Sequence, residues 1–74
     1  MQTDIYLRKV GSSIRRRRES LGVSQEAFAD QIGMHRTYYG AIERGEKNLS
    51  LTTIIRVCLG LNCKVWEIFR EAVP

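Results

Sequence analysis

Two short helical patterns stand almost back to back in residues 24 to 45, SQEAFADQIGMHRTYYGAIERG, and no other stretch limits the fold so tightly. The first, Gln25 to Ile32, puts Phe28, Ala29 and Ile32 on one face. The second, Arg36 to Arg44, puts Tyr39 and Ile42 on one face. Only Gly33, Met34 and His35 lie between them. Gly33 suits a left-handed residue closing the first helix, because it has no Cβ to clash. Ala29 is small where two helices at a steep angle would cross closely.

That layout is a helix-turn-helix, in which the second helix is free to enter a DNA groove. Charge agrees with it. Lys and Arg number 12 against 8 acidic residues, for a net charge of +4 and a pI near 9.5. A basic balance favours a polyanionic partner, double-stranded DNA here. With 74 residues and 43% hydrophobic content, the chain is expected to form one packed domain, 1–74, with the helix-turn-helix at about 25–44.

Other function classes find little support. No apolar run approaches the roughly 20 residues of a membrane span, and no charged-then-apolar leader resembles a secretory signal. Cys58 and Cys63 are too few for a disulfide scaffold or a four-ligand zinc site. They read as thiols buried as small hydrophobes in a reducing cytoplasm, with a regulatory redox pair as the alternative. One His and no GxSxG, HExxH or P-loop signature leave an enzyme without a candidate site. Neither a cofactor nor a metal is expected.

The remaining punctuation predicts an all-α, five-helix domain. Helix 1 is expected from about Asp4 to Leu21, with Val10, Ile14 and Leu21 inward and Gly22 ending it. Helix 2 has Ser24 as N-cap, with Val23 stapled to Phe28. Helix 3 stops at Gly45. Helix 4 follows the cap Ser50, with Leu49 stapled to Ile54 and a buried stripe of Leu51, Ile54, Ile55, Cys58 and Leu59. Helix 5 buries Val65, Ile68, Phe69 and Ala72, and Pro74 ends the chain. No segment alternates with period two over a useful length, so no sheet is expected.

On this frame the first turn of helix 3 faces base edges. His35, Arg36, Thr37 and Tyr38 sit there. Arg36 is the best base reader, because a guanidinium donates two hydrogen bonds to guanine O6 and N7. Thr37 offers a methyl to thymine or a hydroxyl to phosphate, and Tyr38 lies along the sugar-phosphate backbone. His35 either reads DNA or only caps the helix. Gln25 heads helix 2, whose amide end suits a phosphate. Arg44, Lys47 and Asn48 follow helix 3 where they would clamp the backbone, and Arg17 is expected to reach a phosphate. Arg15 and Arg16 are solvated or paired with Glu19. Trp66 lies off the core stripe of helix 5 near Arg70 and Val73, marking either a dimer interface or the edge of the core.

The stretch from Gln25 to Gly45 resembles the helix-turn-helix of the phage Cro and CI repressor class, the XRE-type, lambda repressor-like regulators. Gln25, Ala29, Gly33, Ile42 and the Glu43-Arg44-Gly45 ending carry the match. Within that class, HRTYYGAIERGEKNLSL is similar to controller proteins of bacterial restriction-modification systems. The resemblance implies a homodimer on a pseudo-palindromic operator, regulating transcription in a bacterial or phage cytoplasm in association with the nucleoid. It also implies an ion pair between Arg18 and Glu43 behind helix 3. Four positions depart from the pattern. Tyr39 replaces a branched aliphatic, His35 replaces a better N-cap, and Arg17 replaces an aliphatic. Gly40 stands where serine is common, and is expected to make room for the Tyr39 ring. The competing reading is an antitoxin-like helical module that grips a protein partner and binds DNA secondarily.

Overall fold

A computed structural model describes residues 2–72. They form five helices and no strand: α1 (Gln2–Ser20), α2 (Gln25–Gln31), α3 (Arg36–Glu43), α4 (Leu51–Leu61) and α5 (Val65–Ala72). The all-α, five-helix architecture is thus the one expected. Local chemistry sets the starts. Ser24 accepts a hydrogen bond from the Ala27 amide, and Ser50 accepts one from Thr53, each satisfying a donor orphaned at a helix start. Gly33 has φ +69°, the left-handed conformation that turns the chain between α2 and α3.

One core gathers all five helices. It takes Val10 and Ile14 from α1, Phe28 and Ala29 from α2, and Tyr39 and Ile42 from α3. Ile54, Val57, Cys58 and Leu61 come from α4, and Ile68 and Ala72 from α5. The Phe28 and Tyr39 rings meet at 5.2 Å between centroids, tilted by 51°, and tie α2 to α3. α1 packs mainly against α5 and α3. Its approach to α3 is backbone on backbone: a Cβ at Gly11 would fall 2.6 Å from the Ile42 carbonyl oxygen and closer still to that of Glu43.

Three expectations about burial need correction. Leu21 lies beyond the end of α1 and is exposed, not inward. In α4, Ile54 and Cys58 are buried as expected, but Leu51, Ile55 and Leu59 point outward, while Val57 and Leu61 fill the core. α4 is apolar almost all round, so its period alone could not choose the inner face. In α5, Ile68 and Ala72 are buried and Val65 packs partly against the core, but Phe69 is turned out. Val73 and Pro74 lie outside the described residues. Cys58 and Cys63 are free thiols, the first buried and the second partly so. Burial pushes the Cys58 thiol up to about 12, further raised by Cys63, so it is a poor nucleophile.

Candidate nucleic-acid interface

A buried carboxylate positions α3. Glu43, in the last turn of α3, accepts hydrogen bonds from Arg18 Nε at 2.7 Å and Arg18 Nη2 at 3.2 Å. It also accepts one from Gln25 Nε2 at 2.9 Å and one from the Tyr39 hydroxyl. Arg18 itself donates Nη1 to the Val23 carbonyl at 2.6 Å. The Arg18 and Glu43 side chains are only 8% and 1% exposed. Burial alone would raise the Glu43 carboxyl, but hydrogen bonds from Arg18, Tyr39 and Gln25 outweigh it and hold the group below the usual carboxylate range. The hydrogen bond to Glu43 raises the Arg18 guanidinium, and burial followed by the Glu43 hydrogen bond raises the Tyr39 phenol. One anion therefore fastens α1, α2 and α3 together, and neither Arg18 nor Glu43 exchanges protons near neutrality.

Outward from this anchor, α3 carries the residues singled out in the sequence. His35 is the N-cap, and its Nδ1 accepts from the Thr37 amide at 3.1 Å. The capping role is thus occupied, which leaves the Nε2 edge for any other partner. His35, Thr37, Tyr38, Ala41, Arg44 and Lys47 line a shallow depression of about 560 Å³, with Glu46 at its side. Tyr38 also packs partly on the core, which fixes its ring. Arg44 donates Nε to Glu46 Oε2 at 3.1 Å, and Lys47 is exposed.

Other singled-out residues stand elsewhere. Arg36 is exposed but held by Glu26, with Nη1 at 3.3 Å from Oε2. Gln25 turns its amide inward to Glu43, so a phosphate at this end of α2 would meet backbone amides first. Asn48 lines an apolar groove with Tyr6, Leu49, Ile54 and Phe69. Arg17, expected at a phosphate, is bound to α5: Nη2 lies 2.7 Å from Glu71 Oε2 and 3.8 Å from Glu67 Oε2. The carboxylate that claims it lies 54 residues on, beyond the reach of any local pattern. Ser13, fully buried, donates to the same Glu71. Gly40 does not make room for Tyr39. A Cβ there would meet Arg44 Nη1 at 3.1 Å and Gln25 Oε1 at 3.4 Å, so the glycine leaves space for those two side chains.

The outer surface of α4 and α5 carries several large apolar side chains. Leu51 is 68% exposed, Leu59 76% and Trp66 55%, and Ile55 and Phe69 join them. The Arg70 guanidinium sits 4.8 Å from the centre of the Trp66 ring and covers one face of it. Among the described residues no helix is long and apolar enough to cross a membrane. Nor does any group of three or more His, Cys, Asp or Glu stand close enough to hold a metal ion.

Two short helices joined by a tight turn at Gly33, the second polar on its outer side and braced from behind by a buried ion pair, define a helix-turn-helix protein. The chain belongs to the helix-turn-helix family, whose pattern matches residues 14–65. It is 38% identical over 68 residues to the control protein C.MunI of Mycoplasma sp, covering 92% of each chain. It superposes on the restriction-modification controller protein C.AhdI of Aeromonas hydrophila with a TM-score of 0.82 and 38% identity, over 85% of this chain and 96% of that one. The controller C.Esp1396I, solved as a tetramer in complex with its natural 35 base-pair operator, aligns with a TM-score of 0.81 and 29% identity, over 93% and 96% of the chains.

Proposed function

We propose that the protein is a sequence-specific transcriptional regulator of the restriction-modification controller type. It works as a single domain over residues 1–74, without catalytic activity, in the cytoplasm and in association with the nucleoid. Arg36, Thr37, His35 and Tyr38 read base edges, Arg44, Lys47 and Asn48 hold phosphates, and the amide end of α2 that Gln25 heads takes a further phosphate through its backbone. The observation that carries this reading is the combination of a braced α3 with His35, Thr37, Tyr38, Arg44 and Lys47 gathered on one concave outer surface. A recognition helix needs that combination of rigidity behind and hydrogen-bonding capacity in front.

The active form is a homodimer. Leu51, Ile55 and Leu59 on α4, with Trp66 and Phe69 on α5, leave more large apolar surface in water than a domain of this size gains from. A second copy covers it and sets two α3 helices on a two-fold axis, which matches a pseudo-palindromic site. Trp66 and Arg70 belong to this interface. Selection of bound sequences from random duplex DNA tests the reading. It should return two inverted half-sites with centres about one helical turn apart, 10–10.5 base pairs. A pool that remains unenriched after repeated rounds would sink it.

A further inference from the structure

Arg36 is engaged by a carboxylate of its own chain. Its partner Glu26 is the second residue of α2, and Arg36 is the first of α3, so their exposed ion pair spans the turn between the two helices. The two side chains are 66% and 65% exposed. A pair this wet adds little to stability. α2 and α3 are in any case fastened by the Gln25–Glu43 hydrogen bond and the Phe28–Tyr39 contact. The position of the pair matters more than its strength. A carboxylate here is repelled by phosphates, and it repels the acceptor edges of guanine and thymine. A guanidinium has five N–H donors, so Arg36 can keep one on Glu26 and still present two to guanine O6 and N7.

On the DNA-reading function above, we propose that Glu26 is a specificity-determining residue that tethers Arg36 toward one base position and penalises duplexes offering no guanine there. Untethered, an arginine at a helix start turns to the nearest phosphate, a contact every sequence provides. The tether opposes that turn. On a duplex without the guanine, the repulsion between Glu26 and the DNA is left uncompensated. On the cognate site, the forked contact from Arg36 offsets it. Glu26 thus weakens binding to random DNA more than binding to the operator.

The test compares Glu26→Gln with Asp30→Asn, an equal change of charge at another exposed position one turn further along the same helix. The probes are the selected operator duplex, the same duplex with the guanine replaced, and a random duplex of equal length. Glu26→Gln should tighten the random and guanine-less duplexes about threefold to tenfold, within the range one base contact commands, and leave the operator within about twofold. Asp30→Asn should move all three alike. In an Arg36→Ala background, Glu26→Gln should lose its selective effect. Thermal midpoints should stay at wild type throughout. Equal tightening of all duplexes by Glu26→Gln, or an undiminished selective effect without Arg36, overturns the role of Glu26 and leaves the regulator intact. A wild type that does not prefer its selected operator overturns both.

Discussion

Arg18 on α1 and Glu43 on α3 meet side-on, with Nε at 2.7 Å from Oε2 and Nη2 at 3.2 Å from Oε1. Removing one member of a buried pair leaves the other charge stranded. Glu43→Gln should cost about 3–5 kcal/mol of unfolding free energy, read by urea denaturation. A midpoint equal to wild type would show that the pair contributes nothing to the fold.

The same carboxylate sets an acid limit. Glu43 and Glu71 both titrate below the ordinary value of 4.5 in the folded protein. For Glu71 the hydrogen bond from Arg17 is the first cause and that from Ser13 the second. A carboxyl depressed by folding contributes stability that is complete above its unfolded value and lost as pH falls through its folded value. The unfolded chain binds more protons in that window, so stability rises with pH there. Thermal midpoints should therefore be flat above about pH 5.5 and fall steeply below about pH 4.5. In Glu43→Gln the acid slope should be shallower.

Arg36 and Lys47 separate reading from holding. Arg36→Ala should cost about 1–3 kcal/mol on the operator and relax preference at one guanine in each half-site. Lys47→Ala should weaken all duplexes about equally and reduce the salt slope by about one. Equal losses by Arg36→Ala on operator and random DNA would make Arg36 a phosphate contact.

The large apolar side chains on the outer face of α4 and α5 predict how the chain associates. Leu59→Ser and Trp66→Ala each remove a large apolar group that is mostly exposed. Either should shift the sedimenting species from dimer toward monomer at tens of micromolar and weaken operator binding in parallel. Monomer alone in the wild type, with and without operator, would refute the dimer.

The sequence made the helix-turn-helix legible because its signals are local. Ser24 caps, Gly33 turns, and Phe28 and Tyr39 fall at helical spacing. α4 was less legible. With Leu51, Ile54, Ile55, Val57, Cys58, Leu59 and Leu61 in eleven residues, several faces could have been buried, and packing against α1, α5 and Phe28 of α2 selects one. The partners of the arginines were hidden for another reason. Arg17 meets Glu71 across 54 residues and Arg36 meets Glu26 across 10, and neither spacing is a helical repeat. The pairing of Arg18 with Glu43 was suggested by the family likeness alone, because nothing near either residue announces the other.

At Gly11 the main chain of α1 rests directly on the last carbonyls of α3. On this side the closeness of α3 to the body depends on a missing atom, the Cβ that glycine lacks. A methyl group at position 11 would lift the helix, and the protein would lose its purchase on a groove floor while keeping every residue that was meant to touch it.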